Sequence, residues 1–344
     1  MVISYTFCFF NSIMTLGLFE KVEHILGYQE REKYFHFSAT SYDIWNRFYN
    51  TATVDTFVNK SREVIENNNV FVDYVCFQNF DSGVIRISSI NDSKVLISIS
   101  SFYKCSSANN GGCISCSNSG SCVQYKVSDY KSKIQSDYGS HSYITMTDRY
   151  LSKNFVIELS FDQNKGRISV LYNKYVFILF SSINISNSNL NYNAAFISVE
   201  PYKLSANFSN FIKISSIAQC VFWHGYGTQS FSSSNVIDNK VTENGGIFAN
   251  NQASLTVNQC FFKGSSAATL FLIAYRITSG TTNECHFGSD NTFQLNGNIQ
   301  KSQEMTEIIL SNLFPTFLCI IPTKLITTPP AKCCTVVPNL HRRH

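Results

Sequence analysis

The sequence predicts an all-β chain wound as a right-handed parallel β-helix, and three observations carry that expectation. First, a short unit recurs. It reads Asn258-Gln-Cys260-Phe-Phe262 and again Asn283-Glu-Cys285-His-Phe287, and Ala218-Gln-Cys220-Val-Phe222 keeps the Cys-x-Phe. The three cysteines lie 40 and then 25 residues apart, the kind of self-similar spacing that stacked repeats leave in a sequence. Second, glycine opens several strands, at Gly83-Val-Ile, Gly112-Cys-Ile and Gly246-Ile-Phe. A further strand follows each about ten residues on, at Val95-Leu-Ile, Cys122-Val-Gln and Leu255-Thr-Val. Third, charged residues make up only 15% of the 344 residues, with 29 Phe and 18 Tyr. Aromatic and β-branched side chains suit a pleated surface better than a helical bundle.

Residues 1–70 read as a small, partly helical N-terminal cap. Glu20 to Leu26, and then Val54, Phe57, Val58 and Ile65, follow helical spacing. Such helices could cover the open end of a β stack, where unpaired strand edges invite association. Residues 71–300 carry the β-helix. Short apolar runs such as Val70-Phe-Val-Asp-Tyr-Val, Val95-Leu-Ile-Ser-Ile and Phe155-Val-Ile-Glu-Leu alternate with polar turns. Asn109-Asn-Gly-Gly112 and Asn244-Gly-Gly246 supply residues that tolerate the left-handed backbone of sharp corners. If Asn258 turns a corner, Val257 before it and Cys260 and Phe262 after it all point inward, at about 20 to 25 residues a lap. A β-sandwich is the competing reading, but its strands need no common motif. Residues 301–344 lose the pattern and read as an irregular tail containing Thr327-Thr-Pro-Pro330 and Cys333-Cys334.

Composition excludes several classes. The net charge of +4 comes without a Lys/Arg stripe, so no nucleic-acid partner is expected. No apolar run reaches the length of a membrane span. Met1 to Phe19 is uncharged and fairly apolar, yet it lacks the basic n-region and small-residue cleavage site of a secretory leader. The twelve cysteines suit an oxidising compartment, but buried thiols and scattered disulfides are both open readings. Sequons at Asn59, Asn91, Asn184 and Asn207 are no more frequent than this composition gives by chance.

The segment Val95-Leu-Ile-Ser-Ile-Ser-Ser-Phe-Tyr-Lys-Cys-Ser-Ser-Ala-Asn-Asn-Gly-Gly112, with Ser121-Cys-Val-Gln and the Cys-x-Phe units, resembles large protist families of right-handed β-helix, pectin-lyase-like proteins. These are often described as surface or polymorphic-repeat proteins. The resemblance covers residues 70–295. It implies an extracellular or cell-surface location and a scaffold or adhesion role. A glycan or cell-surface ligand would then be met by exposed Tyr, Asn and Ser on one sheet face. Ser100 departs from the repeat, standing where other copies have Cys.

The same fold also hosts lyases and glycosidases, so a polysaccharide-active enzyme is the alternative, and a degraded member without activity is a third reading. Glycoside hydrolysis needs two carboxylates flanking the bond. The acids here are scattered, at Asp81, Asp92, Glu158, Asp162, Glu200, Asp238, Glu243 and Glu284. Asp238 and Glu243 are near in sequence but read as two solvated turn acids. Trp223-His224-Gly225 reads as a loop histidine. Cys105, Cys113, Cys116 and Cys122 have a Cys-x2-Cys step of zinc-site type. Residues three apart on a strand, however, point to opposite faces, so Cys113 and Cys116 are not expected to converge on a metal. His286, between inward Cys285 and Phe287, should face out. No catalytic, cofactor-binding or metal residue is therefore assigned from sequence, and no cofactor is expected.

Overall fold

The structure, a computed structural model, describes residues 41–302 except 51, 67, 136–137, 147–151 and 274–279. The readings placed on Met1 to Phe19, on Glu20 to Leu26 and on the C-terminal tail lie outside the described residues. The chain coils through about eight turns as a parallel β-helix of the right-handed type. Among the described residues no helix is long and apolar enough to cross a membrane.

Each turn lays a strand on three successive faces. The first face runs in register through Val70, Val95, Cys122, Asn154, Ile178, Leu204, Gln229, Leu255 and Gly280. The second face is built from three-residue strands, from Cys76–Gln78 to Phe261–Lys263. Its central residues are Phe77, Phe102, Asp129, Phe161, Ile185, Phe211, Val236, Phe262 and Phe287. The third face stacks Ile85, Ile114, Ser142 and Leu171, then Phe196, Phe222, Phe248 and Phe271. The glycine-opened pairs of strands in the sequence are single long strands. Ile85–Ser98, Ile114–Tyr125 and Gly246–Asn258 each bend from the third face onto the first.

The corners explain the period. Between the first and second faces stand Tyr74, Ile99, Lys126, Glu158, Ser182, Phe208, Ser233, Gln259 and Glu284, all with φ between 44° and 58°. Between the second face and the next short strand stand Asn79, Lys104, Lys131, Gln163, Asn187, Lys213, Asp238 and Gly264, with φ between 48° and 61°. A left-handed residue costs roughly 1–2 kcal/mol when it carries a Cβ. The offset lies in the ladder, which continues through the bend. Ile99 N donates to Tyr125 O at 3.0 Å, and Gln259 N donates to Asn283 O at 2.9 Å. The expectation that Asn and Gly carry these corners is thus overturned for most turns, and Gln259, not Asn258, makes the bend. Corresponding corners recur 24 to 32 residues apart, somewhat longer than the expected lap.

The residue after the first corner always points into the core. The column reads Val75, Ser100, Val127, Leu159, Ile183, Ser209, Ser234, Cys260 and Cys285, every member buried. This accounts for the departure at Ser100. Serine and cysteine are interchangeable here because each turns its hydrogen back to the carbonyl two residues earlier. Ser209 and Ser234 do so at 2.7 Å, and Cys260 at 3.2 Å. Cys220 and Phe222 are also buried, but they belong to the third face, where they pair with Gly246 and Phe248. The third copy of the motif is therefore not a structural equivalent of the other two.

Helix α1 (Ser41–Tyr49) lies against the outer side of the first face. Its Trp45 and Tyr49 share one buried cluster with Phe71, Leu96, Val123, Phe155 and Leu179, the outward residues of five successive turns. The Tyr49 hydroxyl donates to Val95 O at 2.7 Å, so its polar tip is satisfied under the helix. The helical spacing read over Val54 to Ile65 is a correction. Thr56–Val58 and Val64–Glu66 are strands, and Thr56–Val58 pairs in parallel with 70–72. Backbone bonds to an existing sheet override a weak helical period.

Candidate functional site

Parallel, in-register stacking repeats whatever the sequence puts at an outward position, about every 4.8 Å along the axis. On the first face this creates two different surfaces. Up to Leu179 the outward residues are apolar and belong to the cluster that α1 joins. Beyond it they become Ser205, Ser230, Thr256 and Thr281 in one column. Asn207, Ser232, Asn258 and Asn283 form the second column, two residues along each strand. All eight side chains are half-buried. Two tyrosines stand at the adjoining edge, Tyr202 and Tyr226, 57% and 39% exposed. They flank the turns that deliver the strands bearing Ser205 and Ser230. The product is a flat surface of hydroxyl and amide groups beside exposed rings, able to hydrogen-bond a polar polymer and to stack on it.

Other outward aromatics spend their faces on one another. Tyr143 and Tyr172 stack at 4.9 Å on the third face, and Tyr103 and Tyr130 at 5.8 Å on the second. Lys104 and Lys131 sit over the latter two rings, at 5.0 and 4.7 Å. Further along the second face, Asn210 donates to Asn184 Oδ1 and Asn235 donates to Asn210 Oδ1, both at 2.7 Å. The sequon residue Asn184 is thereby engaged in an amide ladder.

The residues singled out in the sequence disperse. His224 is not a loop residue. It points into the core from the third face, fully buried against Phe196 at 5.3 Å and Phe248 at 6.0 Å. Its Nδ1 meets the Gln229 amide oxygen, and burial pushes its pKa down to about 4. Asp238 and Glu243 are exposed on either side of the short strand Lys240–Val241, and Asp238 is itself a corner residue. His286 faces out, its ring stacked on Phe261 at 5.1 Å.

The cysteine cluster corrects the alternation argument. Cys113 and Cys116 are both buried in the one core. Cys113 precedes the strand Ile114–Tyr125, at the bend, so strand alternation does not govern it. The four thiols divide into two pairs, Cys113 with Cys105 and Cys116 with Cys122. Among the described residues the cysteines are thiols rather than disulfides.

One interior group was missed altogether. Asp129 occupies the second-face position that holds Phe102 one turn before and Phe161 one turn after. It is fully buried. Its Oδ2 lies 2.8 Å from His141 Nδ1, accepts from Asn164 Nδ2 at 3.1 Å, and is 3.8 Å from Cys113 Sγ. Its Oδ1 accepts from Ser132 Oγ. On the far side of the ring, His141 Nε2 is 2.9 Å from Gln124 Oε1. Donor atoms of Cys113, Asp129 and His141 all lie within 4.8 Å of one another. Aligning Ser101-Phe-Tyr103, Ser128-Asp-Tyr130 and Ser160-Phe-Asp162 would have flagged Asp129, because only there does a carboxylate replace the inward ring.

Comparison with family models, with curated proteins and with solved structures finds no match for this chain.

Proposed function

We propose that this chain is a non-enzymatic surface or secreted scaffold of the pectin-lyase-like, polymorphic-repeat kind, which binds glycan along the C-terminal half of its first face. One observation carries the reading: the paired columns of Ser205, Ser230, Thr256 and Thr281 and of Asn207, Ser232, Asn258 and Asn283, edged by Tyr202 and Tyr226. Hydroxyls and amides at fixed spacing offer donors and acceptors to the hydroxyls of a polysaccharide. Tyrosine rings offer the apolar face that a pyranose ring stacks on. Each contact is weak, so affinity grows with the number of turns engaged.

A glycan array probed with the folded chain tests this. Binding to at least one polymer is expected, and it should fall at least tenfold in Thr256→Glu and in Tyr226→Ala while the circular dichroism spectrum is kept. A blank array would favour the degraded-member reading. Release of product from a polymer, abolished by Asp238→Asn or Glu243→Gln, would replace the scaffold by an enzyme. Labelling of intact against permeabilised cells checks the proposed location.

A further inference from the structure

We propose that Cys113, Asp129 and His141 form a buried structural zinc site that pins consecutive turns of the coil together. The three residues come from different stretches of the turn. Cys113 lies at the bend before the third face, Asp129 at the centre of the second face, and His141 at the bend one turn beyond Cys113. Cys113 N donates to His141 O at 3.0 Å, which fixes the two bends one above the other. Thiolate, carboxylate and imidazole on one centre form a donor set that suits a tetrahedral borderline-soft cation such as Zn²⁺.

The surrounding bonds are those that ligands require. A metal-bound histidine donates its other ring N–H to an oxygen, which fixes the tautomer. Here Gln124 Oε1, 2.9 Å from His141 Nε2, fills that role and leaves Nδ1 facing the cluster. A ligating carboxylate is itself held by donors. Ser132 Oγ and Asn164 Nδ2 hold Asp129, and Asn164 Oδ1 in turn accepts from Ser132 N at 3.0 Å. A buried carboxylate in a column otherwise filled by Phe, Val and Ile needs a countercharge, which a bound cation supplies. Cys105, which interacts with Cys113 but lies outside the three converging donors, is a second thiol in the same core. All three ligands are fully buried, so the ion would be taken up as the turns assemble.

The full chain refolded from denaturant with zinc, and separately with cobalt, decides the matter. About one zinc per chain should be retained, and the cobalt form should show a thiolate-to-cobalt charge-transfer band. Cys113→Ser should remove the band and weaken zinc binding at least tenfold, whereas Cys260→Ser should change neither. Should Cys113→Ser fail to fold, X-ray absorption on the wild-type zinc form reads the ligands directly. One or two sulfurs with nitrogen and oxygen are expected. No retained zinc, no charge-transfer band, a band that survives Cys113→Ser, or a sulfur-free shell would each overturn the assignment.

Discussion

His224 sets a pH limit on this fold. In the folded chain its ring is neutral, with burial lowering its pKa to about 4. In the unfolded chain a histidine takes up its proton near pH 6.5. As pH falls through that value, the unfolded state binds a proton that the folded state refuses until about pH 4. Stability is therefore complete above about pH 6.5 and declines below it, by roughly 1.4 kcal/mol per pH unit at the steepest. Urea melts of wild type and His224→Gln between pH 7.5 and 4.5 should show the wild type losing ground steadily as the solution acidifies. A difference between the two that does not vary with pH would mean that residue 224 is not a buried neutral ring. The residue scale is also where the sequence was least legible. His224 reads as a loop residue beside Gly225, and only the register of the third face shows that it points inward. Asp129 was invisible for a related reason, since an acid amid serines and tyrosines looks solvated until the turns are aligned.

The corner is the element on which the coil depends. Its left-handed residue varies freely among Tyr, Ile, Lys, Glu, Ser, Phe and Gln, which shows that the bend is imposed by the stacked ladder rather than by a local preference. Ile99 is the least suited of these, because a β-branched side chain is a true outlier at positive φ. Ile99→Asn should stabilise the protein by about 0.5–1 kcal/mol, since asparagine accepts the left-handed region far more readily. A lower denaturation midpoint for Ile99→Asn would show that packing of the half-buried isoleucine outweighs the strain. The same reasoning explains what the sequence did reveal. Inward residues recur because each must fit beneath its counterpart one turn away, so Cys260-x-Phe262 and Cys285-x-Phe287 declared the coil. Corners left no such trace, and Asn-Gly clusters drew the eye to loops instead. The strands at Thr56–Val58 and Val64–Glu66 were hidden because a few apolar residues fit a helical and an extended period equally well.

Across the whole molecule, stability is distributed turn by turn, because each turn buries its inward residues mainly against its neighbours. Phe262 stands between Val236 and Phe287 in the second-face column, with the Phe287 ring stacked on it at 5.0 Å. Phe262→Ala should cost about 3–5 kcal/mol, and the loss should stay local. Hydrogen exchange should speed up in strands of residues 235–287 and remain slow around residues 95–130, where the core is built from other turns. Uniform loss of protection over the described strands would show that the coil unfolds as one cooperative unit.

The ladder that continues through the corners has a mechanical consequence. A load applied to the end of the chain along the coil axis pulls against the bonds between turns, and the terminal turn, held by a neighbour on one side only, peels first. The chain should then pay out like line from a reel, one lap at a time. A lap of about 25 residues frees roughly 80 Å of extended chain, and the next lap stays wound until the force reaches it. Such a molecule lengthens many times over under a modest, nearly constant tension, and the turn clasped by Cys113, Asp129 and His141 is where the reel would catch.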